Sequence, residues 1–166
     1  MTLSDLQTLV EYHVWARGRM LDGVEPLAPE QFTRDLGNSF RSIQETVTHL
    51  YFADWVWLKR WQGDSPAGKV PIEQFVDVAA ARRAWSEHDK KLQALVDGLG
   101  VAGVSRVFQY QMINGLSGSS PFWQMLQHLV NHGSYHRGQV TTMLRQMGVA
   151  PPKSMDMIAF YRENPR

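Results

Sequence analysis

Residues 121–147 read PFWQMLQHLVNHGSYHRGQVTTMLRQM, and the centre of that run is His128-Leu129-Val130-Asn131-His132-Gly133-Ser134-Tyr135-His136-Arg137-Gly138-Gln139. Phe122, Met125, Leu129, Val140, Met143 and Met147 recur at helical spacing, so the segment is expected to form one long amphipathic helix. Ser120 stands as its cap and Pro121 at its first position, where a missing N–H costs nothing. Gly148 and then Pro151-Pro152 stop it. His132 and His136 are four residues apart, so a helix places one above the other. Both fall on the same stripe as these apolar residues and are expected to point into the interior. A buried imidazole without a partner costs about 1–3 kcal/mol. Either a hydrogen-bonded core pair or a shared metal ion would satisfy the two rings. Two histidines at this spacing reach a common ion with bonds of about 2.0–2.1 Å. His128 lies eight residues from His136, about 12 Å of helix rise, so all three cannot close on one ion from a straight helix.

Working outward, three more helices are expected. One runs from about Ser4 to Asp22, with Leu6, Val10, Val14 and Leu21 on one side. Another opens at Ser42-Ile43-Gln44-Glu45, a capping box, and runs to about Trp61, closed by Gly63. A third runs from about Val78 to Val96 with a broad charged face (Arg82, Arg83, Glu87, Asp89, Lys90, Lys91). Residues 63–76 read as a loop. Val107-Phe108-Gln109-Tyr110-Gln111-Met112 alternates apolar and polar, and Asn114-Gly115 supplies a turn, so a short β-hairpin or ordered loop precedes the last helix. The class is all-α: a four-helix bundle forming one domain over residues 1–166, with 23–41 long enough for a crossover.

A third ligand should come from a neighbouring helix. His49 is the candidate, one turn past the capping box, although its place on the flank of the apolar face does not single it out. His13 and His88 read as packing or surface residues, and His128 as a supporting residue rather than a ligand. Gly133 and Gly138 cost about 1 kcal/mol each relative to Ala, which close helix packing would offset. Arg137 reads as a structural salt-bridge residue, and Trp55, Trp57 and Trp61 as core and dimer surface.

The chain has 166 residues, a net charge of +1 and no cysteine. The absence of a clustered basic patch argues against nucleic acid as a partner. No apolar run is long enough for a membrane span, and the first residues lack the pattern of a signal peptide. Without thiols, any metal must use nitrogen and oxygen ligands. These features are those expected of a cytoplasmic protein.

Ser42-Ile43-x-Glu45 followed by His49-Leu50, and Asn131-His132-x-x-Tyr135-His136-Arg137-Gly138-Gln139-Val140, resemble the DinB (DinB/YfiT-like) family of metalloenzymes, as does the closing Pro151-Pro152 and Asp156-Met157-Ile158-Ala159-Phe160-Tyr161. The resemblance covers essentially the whole chain. It implies a four-helix bundle, often a homodimer, and a histidine triad at His49, His132 and His136. Three imidazoles would leave positions open on a Zn²⁺ or Ni²⁺ ion, with Fe²⁺ and Mn²⁺ also suited. Related enzymes use low-molecular-weight thiols, so the resemblance points to a small-molecule substrate and thiol transfer to an electrophile. A metal-dependent hydrolase is the alternative, with Glu45 and Asp54 the nearest acids in sequence. A non-enzymatic metal-binding dimer is the third reading. No catalytic residue beyond the ligands is assigned.

Overall fold

The computed structural model describes residues 1–66 and 73–165. Part of the loop read at 63–76 therefore lies outside the described residues. In chain order the elements are α1 (Leu3–Val24), α2 (Pro29–Phe32), α3 (Ile43–Trp61), α4 (Val78–Gly98), α5 (Gly100–Gly103), β1 (Val107–Gln111), β2 (Ser117–Pro121), α6 (Phe122–Gln146) and α7 (Met157–Glu163). The expected architecture is present: four long helices and a two-stranded antiparallel hairpin before the last of them.

Local chemistry sets the helix ends. Thr2 caps α1: its Oγ1 accepts from the Asp5 N–H, and its own N–H donates to the Asp5 carboxylate. Ser42 accepts from the Glu45 N–H as the capping box predicts, but the Glu45 carboxylate accepts from the Arg41 N–H, one residue earlier. Asp77 caps α4 by accepting from the Ala80 N–H. At the other ends, Gly63 (φ 88°) and Gly148 (φ 72°) take the left-handed conformation that turns the chain out of α3 and α6.

The start of α6 departs from expectation. Ser120 and Pro121 belong to β2, where Ser120 is paired with Phe108 and Pro121 with Val107, and the helix begins at Phe122. Pro121 is the extended residue before the helix rather than its first residue. The ladder extends into the helix start, because the Phe122 N–H donates to the Arg106 carbonyl.

α6 packs against α1 and α3, and α4 packs against the same two helices from the other side. The pairs α1/α3 and α4/α6 are thus diagonal. The 25–42 connection crosses the bundle, as its length suggested, and the hairpin segment makes the second crossing. α7 lies on α1, where Phe160 packs edge-on against Tyr12 and Trp15 at 5.8 and 5.5 Å between ring centres.

The interior has a repeating plan along the bundle axis. One apolar cluster, built on Leu6, Val10, Leu92, Val96, Phe122 and Leu126, fills the end beside the hairpin. A second, built on Met20, Val24, Ile43, Val47, Ala81 and Met143, fills the other end. Between them lies a polar belt of buried side chains from all four long helices: His13 and Arg17 on α1, Asp54 on α3, His88 on α4 and Arg137 on α6. None of the described helices is long and apolar enough to cross a membrane.

Candidate metal centre

His49 projects from α3 and His132 and His136 from α6, at the level of the polar belt. Antiparallel packing of these helices brings the three rings together. One nitrogen from each lies within 4.8 Å of the others, and this is the group of potential ligands that stands out among the described residues. The Nε2 atom of His132 is 3.2 Å from Nε2 of His49 and 3.1 Å from Nε2 of His136. Nitrogens about 2.0–2.1 Å from a tetrahedral zinc ion stand about 3.3 Å apart, so the spacing fits a single shared cation.

Proton accounting supports the same fit. The Nδ1 atom of His136 lies 2.6 Å from the Gln139 Oε1, to which only a protonated Nδ1 can donate. In the neutral ring that leaves the Nε2 lone pair facing the other histidines. His132 has at most one proton on Nε2 for two neighbours, so hydrogen bonding among the three rings cannot pair every nitrogen. Burial, and then the neighbouring imidazoles, push His49 down to about 4 and His132 down to about 4. Burial also lowers His136, against the opposing effect of Gln139. The cluster is therefore a set of neutral nitrogen donors at pH 7, the form a transition metal requires. Gln139 fixes the tautomer and orientation of one donor from outside the cluster.

The rings do not point into the middle of the bundle, as the helix stripe suggested. His136 is buried, but His49 and His132 are half-buried, along the α3–α6 edge. The centre line of α6 is taken instead by Gly133 and Arg137, which share the stripe with Leu129 and Val140. Phe40, from the segment before α3, stacks on His49 at 4.2 Å and meets His136 edge-on at 5.4 Å. Tyr135 packs edge-on against His136 from the solvent side. Phe40 was not foreseen, because it lies in an irregular segment with no period to place it.

His128 stays outside the triad. Its ring centre is 6.0 Å from that of His132 and 5.5 Å from that of Trp57. His13 is buried, and its Nε2 is 3.0 Å from the Asp54 carboxylate. Asp54 also accepts from Arg17 at 2.9 Å and from the Trp85 indole at 2.7 Å. Arg17 reaches on to Asp89. Burial would push Asp54 up, but His13, its hydrogen bond, and the Arg17 guanidinium outweigh it and hold the carboxyl below the ordinary range. His88 is buried, with its ring 6.4 Å from Tyr51. Arg137 is in no salt bridge among the described residues: its guanidinium donates to the Tyr12 hydroxyl at 3.3 Å and to Ser134 Oγ at 2.9 Å, over the Tyr12 ring.

Gly133 makes room for this belt. A Cβ there would stand 2.8 Å from both His13 Cε1 and Arg137 Nη1. Gly138 meets no such constraint. Of the three tryptophans, Trp61 is in the core, Trp57 packs against Tyr110 of the hairpin, and Trp55 stacks with Phe52 on the outer side.

A bundle of four long helices with a half-exposed cluster of three histidine nitrogens defines a helical protein whose site could hold one divalent metal ion. The chain belongs to the DinB family, whose model matches residues 1–164. It is similar to Protein DinB of Bacillus subtilis (strain 168), with 27% identity over 147 residues and 86% of each chain covered. Its fold is similar to that of a crystallised DinB-like protein from Bacillus cereus ATCC 10987, with a TM-score of 0.68 at 14% identity, covering 88% of this chain and 95% of the other.

Proposed function

We propose that His49, His132 and His136 bind one divalent transition-metal ion, Zn²⁺ or Ni²⁺ before Fe²⁺ or Mn²⁺, and that the protein is a metal-dependent enzyme transferring a low-molecular-weight thiol to an electrophile. The observation that carries the metal reading is the convergence of three Nε2 atoms, with His132 only 3.2 and 3.1 Å from its two neighbours. All three side chains are neutral donors, and no fourth protein ligand joins them among the described residues. A closed structural zinc site would have four protein ligands. A divalent ion bound there would supply Lewis acidity, lowering the pKa of a thiol or water brought to it.

The protein's own part is to hold the donors and shape access. Gln139 orients His136 by accepting its Nδ1 proton. Phe40 supports the His49 ring by stacking and screens part of the cluster from water. Thiol transfer is favoured over hydrolysis because the two acids considered as bases are engaged elsewhere. Glu45 accepts from the backbone at the start of α3, and Asp54 is enclosed by His13, Arg17 and Trp85. A thiol needs less help in losing its proton than water does. The chain brings no cysteine, so the thiol would come with the substrate or as a co-substrate. The family resemblance further supports a homodimer acting on small molecules, and the composition agrees with a place in the cytoplasm.

The test is a screen of metal-loaded protein with small thiols against electrophiles such as epoxides and activated aromatic halides. Thiol consumption that needs the metal and vanishes in His132→Ala supports transfer. Ester or amide cleavage without any thiol would replace it with the hydrolase reading.

A further inference from the structure

One turn along the α3–α6 edge from the triad, a cavity of about 450 Å³ opens between α3, α6 and the hairpin. Trp57 and Arg60 line it from α3, Gln124 and His128 from α6, and Tyr110 and Met112 from the hairpin. The triad histidines do not line it, but His128 in its wall neighbours His132. The His128 ring links the two, 6.0 Å from His132 on one side and 5.5 Å from Trp57 on the other.

Arg60 is the unusual member of this lining. It is only 6% exposed, yet it has no acidic partner among the described residues. Its guanidinium lies between two aromatic rings, 4.6 Å from the centre of Trp57 and 5.3 Å from that of Tyr110. The Nε–H donates to the Gln111 carbonyl at 3.2 Å, which anchors the hairpin. That bond uses one of five donors. A role as hairpin anchor accounts for Nε and the ring stacking but leaves the η nitrogens without an acceptor among the described residues. The η nitrogens are not sealed in the interior but open to the cavity, and a guanidinium fork matches a carboxylate in two parallel hydrogen bonds. The other two buried arginines have acceptors for their η nitrogens: Arg17 meets Asp54 and Asp89, and Arg137 meets Tyr12 and Ser134.

We infer that this cavity binds the carboxylate of an organic acid with an apolar or aromatic body, Arg60 holding the carboxylate and Trp57 and Tyr110 flanking the body. The inference rests on the proposed function for its meaning. The acid would be the distal end of a substrate or co-substrate whose reacting end meets the triad. From His49 to Arg60 is eleven residues, about 16 Å of helix rise before the Arg60 side chain reaches back, so the molecule would be extended rather than compact.

The experiment compares 4-phenylbutyrate with its neutral amide, 4-phenylbutanamide, by titration into isotopically labelled full-length protein. Backbone amide and tryptophan indole NMR signals are followed. The acid is expected to bind at least tenfold more tightly than the amide, with shifts centred on Trp57, Tyr110 and Gln124. Arg60→Gln should abolish that preference and Arg60→Lys should keep part of it. Equal binding of acid and amide to the native protein, shifts elsewhere, or no binding of either would overturn the inference. The acid–amide comparison needs no variant, so it stands even if Arg60→Gln loosens the hairpin. The titration is repeated after chelation and after metal loading. A preference for the acid in a protein that takes up no metal would sink the metal reading and leave this pocket, whereas metal uptake without the preference would do the reverse.

Discussion

The triad and the polar belt are built from the same kinds of residue at the same height in the bundle, yet they have opposite properties. In the belt, His13, Arg17 and Trp85 converge on one carboxylate, Asp54, so donors meet an acceptor and charge meets counter-charge. In the triad, three nitrogen acceptors converge with no carboxylate between them. The belt is buried, whereas two triad histidines are half-exposed. A buried network gathered on a carboxylate holds a core in one arrangement, and it does so here although His13 Nδ1, His88 Nε2 and Arg137 Nε have no hydrogen-bond partner among the described residues. A cluster of nitrogens that faces solvent is open to a ligand. On the proposed reading the first cluster serves stability, and the second could hold a metal ion.

The comparison is broken most forcefully by Asp54→Ala. Removing the carboxylate strands Arg17 and His13 in the interior and should cost about 3–5 kcal/mol, read as a fall in the urea midpoint. His49→Ala in metal-free protein should cost only about 1 kcal/mol by the same measurement. Similar losses in the two variants would erase the distinction.

Gly133→Ala comes next. The added methyl group meets His13 and Arg137 at 2.8 Å, and both are held by their own hydrogen bonds. Overpacking of about 1–3 kcal/mol is expected to exceed the gain of about 1 kcal/mol in helix propensity. Gly138→Ala has open space around it and should instead stabilise by up to about 1 kcal/mol. Thermal unfolding of the two variants separates them by sign.

On the side of the triad, Gln139→Leu removes the acceptor of the His136 Nδ1 proton. Metal affinity should fall about 10–100-fold in a competition with a chromogenic chelator, with stability of the metal-free protein little changed. The triad also sets a pH dependence. His49 and His132 titrate near 4 in the folded chain, below their ordinary value near 6.5. The unfolded chain therefore takes up protons first, and metal-free protein should lose stability as pH falls from about 6.5 towards 4. His49→Ala should flatten this slope, and a profile flat across that window would contradict it.

The four long helices, the hairpin and both glycine stops were legible because each leaves a local mark: a period of apolar residues, a cap, or a residue suited to positive φ. The exact join of β2 and α6 was not, since Ser120 and Pro121 suit a helix start as well as a strand end, and strand pairing decided it. The spacing of His132 and His136 was visible, but their direction was not: a stripe defined by residues three and four apart includes Gly133 and Arg137 equally well. His13 and His49 each stand alone on a helix, and nothing local tells one that meets Asp54 from one that meets two imidazoles. Motif resemblance selected His49, and helix packing brings it to the other two. Phe40 and Arg60 owe their places wholly to tertiary contacts.

Metal content is the most direct measurement of the central claim. Untagged protein, purified without added metal or chelator, is analysed by elemental mass spectrometry beside His132→Ala and His128→Ala. Near-stoichiometric zinc or nickel in the native protein and in His128→Ala, with loss in His132→Ala, is the predicted result. No metal in the native protein and none taken up on reconstitution, or equal metal in all three, would contradict it.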